Sequence, residues 1–480
     1  MKRRRSNSIN RSNAVVFRKN FRRVNGELID RQFSLHLKSI AQRRIDPACR
    51  RPRPAGTKTA RAGIMTGTRE RAAPRRPSRP TKTAGDAPMQ SFSFQTVPHI
   101  VLEAGLARRL GELLRERHAG RRACVLTDAF LHRGGTLAPA LASLARAGWE
   151  VLVIDEVVAD PPEEVVRDAA RRAREFGAEL VIGLGGGSSM DVAKLVAALC
   201  ASEQPLEQMY GVNRVEHGRL PLVQIPTTAG TGSEVTPISI VTTGKTTKSG
   251  VVSPRLYADS ALLDPELTVG LPPAASAATG IDAMVHAIEA YTSKRLKNPL
   301  SDHLACKALQ LLTANLLPAC RDGQNLAARS AMLLGAMLAG QAFANAPVGG
   351  VHALAYPIGG VFHVPHGLSN ALVLPHVLRF NAQAAAQQYA ELGQLVGLEP
   401  VGPVEEQAEA FIAYLVRLAR DAGLPANLQA VGIDVGDLAG LAADAMKQER
   451  LLVNNPCEID EASALEIYRR AFEHVYDEVR

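Results

Sequence analysis

The chain has 480 residues, of which 46% are hydrophobic and 4% aromatic, and its formal net charge is +9. That length is enough for two or three domains, and the hydrophobic fraction is ordinary for a packed globular protein. The charge is unevenly placed, because residues 1–88 hold 24 of the 56 Lys and Arg residues but only 5 of the 47 Asp and Glu residues. The rest of the chain is therefore acidic, which excludes any argument from charge that the folded body binds nucleic acid.

The N-terminal segment 1–88 is rich in Arg, Pro, Ser and Thr. Such a segment has too little apolar surface to offset the entropy lost on ordering, so we expect a disordered basic extension. It has three interpretations: a tail without chemical role, an Arg-rich targeting peptide, or sequence upstream of a true start at Met89. Of these, the third interpretation, in which the true start is Met89, is favoured. A nucleic-acid- or membrane-associated module built on this segment is the alternative from another functional class, and we expect neither partner.

Three features indicate a cytoplasmic protein. The six cysteines lie far apart without a CxxC pair, as is typical of reduced thiols. No uninterrupted apolar segment follows the basic N-terminus, so no secretory signal is predicted. Residues 330–378 contain no Lys, Arg, Asp or Glu, but Gln, Asn, Pro and Gly interrupt the stretch. We interpret it as buried helices and turns around a site rather than as a membrane span.

From Val97 short apolar runs alternate with amphipathic helical stretches. This alternation predicts βαβ units and a parallel sheet. The predicted strands are Ile100–Leu102, Cys124–Leu126, Val151–Ile154, Leu180–Ile182 and Leu222–Ile225. The predicted helices are Ala107 to about Arg117, about Leu137 to Ala147, Glu163–Phe176 and Met190–Leu199.

Beyond Asp264 the β-branched runs thin out and Ala/Leu-rich helical windows follow. We therefore predict an α/β N-terminal nucleotide-binding domain with a parallel sheet, residues 89–265, and an all-α C-terminal metal-binding domain, residues 266–480. The helical windows are Ala283–Ser293, Asp302–Leu317, Ala327–Phe343, Glu405–Ala422 and Ala462–Val475.

Two glycine-rich segments follow predicted strands. The first, GLGGGSSMDVAK at 183–194, opens a helix, where glycines let the backbone approach a phosphate and free N–H groups attract its charge. The second, PTTAGTGSEVT at 226–236, is dense in hydroxyl groups that can line a cofactor. A tight turn or a generic polar loop is the alternative for each. The candidate cofactor-binding residues are Gly185, Gly186, Gly187, Ser188, Asp191, Thr227, Thr228 and Ser233.

Two further segments carry candidate metal ligands. Asp282 and His286 are four residues apart, so a helix would place them on one face one turn apart. His352 and His366 lie inside the uncharged stretch, each near glycine or proline. A buried single histidine is more often a core residue than a ligand, but two of them with a carboxylate–histidine pair favour a metal site.

In this order and spacing, the four segments resemble the iron-containing alcohol dehydrogenase family, of the dehydroquinate-synthase-like superfold, from about Pro98 to the C-terminus. The resemblance implies that Asp282, His286, His352 and His366 bind one metal ion, Fe(II) first, with Zn(II) as the other metal that suits these ligands. It implies that the 185–188 turn binds the cofactor pyrophosphate and that Thr227, Thr228 and Ser233 lie along the nicotinamide. Asp128 matches the acidic residue that favours NAD over NADP, because a carboxylate accepts from the ribose 2′-hydroxyl and repels a 2′-phosphate.

One position departs from the family pattern. Many members carry another histidine four residues after the ligand histidine that His352 matches, where it is thought to relay the alcohol proton, and this chain has Tyr356 there. A phenol has an ordinary pKa of about 10 and is a poorer base near neutral pH. Tyr356 and His352 are nevertheless the candidate catalytic residues, and the intact ligand set argues against a metal-free branch.

The resemblance implies reversible hydride transfer between an alcohol or aldehyde (or ketone) and NAD(H), with the metal as Lewis acid. The expected partners are a small-molecule alcohol or aldehyde and further copies of the same chain, as a homodimer or a higher homo-oligomer. A hydroxyacid–oxoacid transhydrogenase of the same fold, in which tightly held cofactor shuttles hydride between two substrates, remains an alternative.

We predict that residues 1–88 are dispensable for folding and catalysis. A chain that starts at Met89 keeps every candidate site residue, so its melting temperature and specific activity should equal those of the full chain. Thermal unfolding and steady-state assays of both chains test this. A large loss of either property would show that the segment contributes to the folded enzyme.

Overall fold

The computed structural model describes residues 91–244 and 247–476, so the predictions for segment 1–88 lie outside the described residues. Within the described part, the chain first builds a parallel sheet with helices and then continues as helices. This confirms the predicted fold class for the folded body. The strands end at Leu263 and the long helices begin at Pro273.

The described residues form a six-stranded and a three-stranded sheet. Their strands are β1 (Ile100–Leu102), β2 (Arg122–Leu126), β3 (Glu150–Ile154), β4 (Leu180–Gly185), β5 (Gly211–Val212), β6 (Leu222–Pro226), β7 (Ile238–Thr243), β8 (Thr247–Val252) and β9 (Ser260–Leu263). The larger sheet is parallel, in the order β1-β9-β6-β4-β2-β3. Its central strand β4 is buried along its whole length, as in sheets that helices cover on both faces.

The five predicted strands are confirmed, whereas the small sheet and β9 were not predicted. The small sheet has the order β5-β8-β7, and β7 and β8 form an antiparallel hairpin. Its strand β8 contains Lys248 and Gly250 and is only partly buried, so it lacks the apolar run that marks the strands of the large sheet.

Helices in the sheet-forming part bury one apolar face each. In α4, for example, Val166, Ala169, Ala170 and Ala173 are buried while the Arg and Glu residues face outward. The helices of this part are α1 (Leu110–Arg117), α2 (Ala129–Arg133), α3 (Ala138–Arg146), α4 (Glu163–Phe176), α5 (Gly187–Cys200) and α6 (Leu206–Met209).

The second part of the chain is helical, and its first three helices are longer than their predicted windows. The helix predicted from Ala283 begins at Pro273, because a proline fits the first turn of a helix. The helices are α7 (Pro273–Thr292), α8 (Pro299–Arg321), α9 (Leu326–Asn345), α10 (Gly350–Phe362), α11 (His366–Leu395), α12 (Val404–Asp421), α13 (Leu438–Ala445), α14 (Glu449–Leu452) and α15 (Glu461–Glu473).

Helix α9 is long and apolar enough to cross a membrane by length and composition alone. It packs instead against α7 and α8, and 67% of its most apolar window is buried inside the protein. It is therefore a core helix, which agrees with the interpretation of the uncharged stretch as core.

Two glycines let the loop after β6 approach α9 closely. Gly232 has a φ of 59°, and a Cβ there would lie 2.5 Å from the Cα of Gly340. A Cβ on Gly340 would in turn lie 2.8 Å from the Cα of Gly232. Because Ser233 follows directly, this backbone contact fixes the hydroxyl-rich loop against the helical part.

We predict that Gly340→Ala destabilises the protein by about 1–3 kcal/mol, because the new methyl group overlaps backbone that cannot move aside cheaply. Gly440→Ala is the matched control, since a Cβ at this position in α13 meets no atom within 4 Å. That change should stabilise by about 0.5–1 kcal/mol through helix propensity. Denaturant unfolding of both variants measures the difference, and shifts of the same sign would contradict the proposed close approach.

Candidate active site

Helix α7 presents three titratable side chains on one face. Asp282, His286 and Glu289 follow each other at intervals of four and three residues, which is the spacing of one helical stripe. All three are buried, with exposed fractions of 1%, 4% and 6%. Burial of this many polar groups requires partners from neighbouring helices.

Helices α10 and α11 supply the other two histidines. His352 lies in the first turn of α10, and His366 is the first residue of α11. The chain reverses between them at His363, whose φ of 56° ends α10, and at Pro365, which precedes α11. His363 itself is exposed and lies outside the cluster.

The four predicted ligands are brought together. One ligand atom from each of Asp282, His286, His352 and His366 lies within 4.8 Å of the others. The Nε2 atoms of His286 and His352 are 3.0 Å apart, and Nε2 of His366 is 3.5 Å from Oδ1 of Asp282. The arrangement is that of a site for a single ion.

Two buried residues that the sequence analysis missed hold this cluster. Glu289 accepts hydrogen bonds from Nδ1 of His352 at 2.6 Å and from the backbone N–H of Val351 at 2.7 Å. Because Nδ1 of His352 carries the hydrogen that is donated to Glu289, Nε2 of His352 has a free lone pair, which points toward the cluster. Asn370, fully buried, donates from Nδ2 to Oδ1 of Asp282 at 2.6 Å. In the sequence, the only indication of either residue was its spacing from a candidate ligand: Glu289 follows His286 by three residues, and Asn370 follows His366 by four.

The electrostatics of the cluster favour a cation. Burial lowers the pKa of His286 to about 3 and also lowers the pKa of His366, so both imidazoles are neutral at pH 7. Burial alone would raise the pKa of Asp282, but attraction to the neighbouring imidazoles in their protonated form and the hydrogen bond from Asn370 lower it below its ordinary value. The cluster thus offers one carboxylate and imidazole lone pairs, a donor set that suits Fe(II) or Zn(II).

A cleft lies between these helices and the sheet. His286, His352, Tyr356 and His366 line one side of it. Residues of both glycine-rich segments line the other: Gly187, Ser188, Asp191, Thr231 and Ser233. Of the candidate residues, the cleft therefore brings His286, His352, Tyr356 and His366 together with Gly187, Ser188, Asp191 and Ser233. Gly185, Gly186, Thr227, Thr228 and Asp282 do not line it.

The first glycine-rich turn joins β4 to α5. A Cβ on Gly185 would lie 2.6 Å from Oγ of Ser189, and one on Gly187 would lie 2.8 Å from Thr231. Gly186 is the N-cap residue of α5 and has no side chain to cover the free N–H groups of the first turn. With Ser188 in that turn, the helix presents unsatisfied donors to the cleft, where an anion can bind.

The hydroxyl-rich loop is anchored to this turn and to α5. The backbone N–H of Thr227 donates to the carbonyl of Gly185 at 3.0 Å, and Thr228 lies beside Gly186. Asp191 accepts from Oγ of Ser233 at 2.6 Å and from the N–H of Ile240 at 2.9 Å. Asp191 therefore ties α5 to the loop and to β7, besides lining the cleft.

Asp128 does not line the cleft and has a local role. It is the N-cap residue of α2, where its Oδ1 accepts from the backbone N–H of Leu131 at 2.9 Å. Its position after β2 is at the carboxyl edge of the sheet, the edge at which α/β proteins bind nucleotides.

Tyr356 lies one helical turn after His352 and is partly buried in the cleft wall. Its ring centroid is 5.8 Å from that of His366 and 6.5 Å from that of His352. Burial raises the pKa of Tyr356, an effect that the nearby Arg450 opposes. The phenol is therefore a proton donor rather than a base at neutral pH.

A parallel sheet of the nucleotide-binding type that faces a carboxylate–histidine cluster is the arrangement expected of a metal-dependent dehydrogenase. Residues 98–265 match the family described as iron-containing alcohol dehydrogenase, and residues 276–472 match the C-terminal part of the Fe-containing alcohol dehydrogenase family. The chain belongs to this family. It is a metal-dependent alcohol dehydrogenase, an NAD-dependent oxidoreductase.

Individual relatives agree with this assignment. The chain is 41% identical to long-chain-alcohol dehydrogenase 1 of Geobacillus thermodenitrificans over 361 residues, covering 74% of this chain and 91% of that protein. It is 37% identical to 1,3-propanediol dehydrogenase of Klebsiella pneumoniae, covering 74% and 92%. The crystal structure of a 1,3-propanediol oxidoreductase superposes with a TM-score of 0.77 at 35% identity, covering 80% and 100%. The transhydrogenase and binding-module alternatives are not favoured.

We predict that Ala substitution of Asp282, His286, His352 or His366 removes bound metal and abolishes turnover, because each change deletes one donor from a buried site. His363→Ala is the control and should keep the metal. Elemental analysis and metal titration of the purified proteins measure occupancy independently of activity.

Glu289→Gln should give an intermediate result in the same measurement. A glutamine cannot accept both hydrogen bonds as a carboxylate does, so metal affinity should fall by about 10–100-fold. Full activity of thoroughly metal-free wild-type protein would refute the metal site.

Proposed function

We propose that this protein oxidises alcohols and reduces aldehydes (or ketones) with NAD(H), using Fe(II) held by Asp282, His286, His352 and His366. The observation that carries the proposal is the convergence of these four side chains on one point, beside a cleft that His286, His352 and His366 line together with Gly187 and Ser188 of the glycine-rich turn. The family name supports iron, and Zn(II) suits the same donors.

The residues present fit a divalent cation, since neutral imidazoles and one carboxylate would otherwise leave a buried negative charge without compensation. When bound, the metal supplies a Lewis acid that makes an alcohol more acidic and polarises a carbonyl. Glu289 and Asn370 fix the orientation of the ligands.

For the cofactor, we propose that the N–H groups around Gly185, Gly186, Gly187 and Ser188 bind the pyrophosphate. Thr227, Thr228 and Ser233 would lie along the nicotinamide, within a loop that Asp191 holds in place. A related structure, sulfoacetaldehyde reductase from Bifidobacterium kashiwanohense in complex with NAD⁺, superposes with a TM-score of 0.72 at 26% identity, covering 80% of this chain and 99% of that one.

We propose that Tyr356 relays the alcohol proton. Its hydroxyl lies on the cleft wall beside His352 and His366, and as a donor at neutral pH it suits protonation of the substrate oxygen during aldehyde reduction. In the oxidative direction the phenol has to pass on its own proton before it accepts another, so it acts as a relay rather than as a resting base.

The organisation of the chain completes the proposal. We propose a boundary near residue 265 between a cofactor-binding domain (89–265) and a metal-binding domain (266–480), supported by the change from strands to helices.

Cytoplasmic residence is supported by the five cysteines of the described residues, all free thiols. A homo-oligomer is supported by the edge strand β1, which among the described residues pairs with β9 and with no strand on its outer side.

The function is tested by assaying the metal-loaded enzyme with short primary alcohols and each nicotinamide cofactor.

We predict that the enzyme prefers NAD⁺ to NADP⁺ and that the carboxylate of Asp128 causes this preference. The variant is Asp128→Ser, because serine still caps α2 while the charge is removed. Discrimination against NADP⁺ should weaken by about 1–3 kcal/mol, read from the ratio of kcat/KM values.

Thermal unfolding of the same variant controls for loss of the helix cap. An unchanged cofactor ratio would show that Asp128 is not the selector. Absence of any nicotinamide-linked alcohol oxidation by metal-loaded wild type would overturn the proposed function itself.

A further inference from the structure

Arg450 places a cation on the wall of the active-site cleft. It lies in α14, far along the chain from the metal-binding helices, yet it lines the same cleft as Tyr356, His352 and His366. Neither of the glycine-rich segments nor the metal cluster requires a cation at this position.

The other charged side chains of the cleft wall are already paired. Lys248 binds Asp160 at 2.6 Å, and Asp191 faces the ammonium group of Lys194 at 3.4 Å. Within residues 91–244 and 247–476, by contrast, Arg450 forms no ion pair with an acidic side chain, although Lys447 nearby pairs with Asp444. Among the charged side chains that line the cleft, Arg450 is thus the one without an ion-pair partner in the described residues.

The guanidinium group of Arg450 is close to the cluster but not part of it. It lies on the same cleft wall as Tyr356, whose ring centroid is 5.8 Å from that of His366. On its other side lies Gly250 of β8, where even a Cβ would come no closer than 3.7 Å to Nη2. The absence of a side chain at Gly250 leaves the guanidinium open to the cleft.

We propose that Arg450 binds the carboxylate of the substrate and that the enzyme prefers short ω-hydroxy and ω-oxo carboxylates. This inference rests on the proposed function, because the hydroxyl or aldehyde end of the substrate has to reach the metal cluster. The carboxylate end would then lie at Arg450, on the far side of the Tyr356 ring from the metal cluster. A short carbon chain between the two ends of the substrate is enough to connect these positions.

The chemistry of the guanidinium supports a carboxylate as the occupant. Its planar array of N–H groups matches both carboxylate oxygens at once, and the pairing gains strength in a cleft that is partly shielded from water. A neutral alcohol of the same length leaves the cation unpaired, and a cationic alcohol is repelled.

The wild-type enzyme provides the first test. Its kcat/KM is measured for 4-hydroxybutyrate and for 4-hydroxybutanamide, which differ in charge but hardly in shape. We expect the carboxylate to be preferred at least tenfold, mainly through KM, and the preference to shrink as ionic strength rises. Equal values for both substrates, or turnover of neither by an enzyme that oxidises short primary alcohols, would overturn the inference but leave the proposed function intact.

Variants then assign the preference to Arg450. Arg450→Gln should reduce the carboxylate-to-amide ratio at least tenfold, and Arg450→Glu should reverse it in favour of an amino alcohol. Lys447→Gln is the matched control, because this neighbouring cation is 73% exposed and outside the cleft, and it should keep the wild-type ratio. If Arg450→Gln instead raised the KM for NAD⁺ and affected both substrates equally, Arg450 would belong to the cofactor site and the inference would be wrong.

Discussion

The buried carboxylate of Asp282 is the constraint on which the rest of the site depends. It is 1% exposed on a helix in the interior, where an uncompensated charge costs several kcal/mol. The imidazoles of His286 and His366 are neutral at pH 7 and cannot neutralise it fully. A divalent cation removes the cost, which explains why three helices direct their donors to one point.

The metal cluster depends in turn on contacts from the end of the chain. Asn455 accepts from the backbone N–H of Gly350 at 3.1 Å and from Nδ2 of Asn381 at 2.8 Å, and so fixes the start of α10. Because His352 lies in the first turn of α10, its place beside Glu289 depends on that anchor. Residues that touch neither metal nor substrate therefore set the geometry of a ligand.

The cofactor side is organised around a buried cation. Lys194 is fully buried, and its ammonium group lies 2.7 Å from Oγ of Ser233 and 2.6 Å from the carbonyl of Ile238. Together with Asp191 it joins α5 to the hydroxyl-rich loop and the small sheet. The turn proposed for the pyrophosphate and the loop proposed for the nicotinamide are thus joined by hydrogen bonds into one wall.

The sequence by itself determined the five main parallel strands, the helical second half and the candidate metal ligands, because apolar periodicity and i, i+4 spacing are local properties of the chain. Tertiary structure alone decided which residues support them. Glu289 contacts His352, which is 63 residues away in the sequence, and Asn370 contacts Asp282, which is 88 residues away. Arg450 lines the cleft although it lies in a separate helix of only four residues. No local pattern encodes these pairings, since they arise only when separate helices pack and leave a buried polar atom to be satisfied.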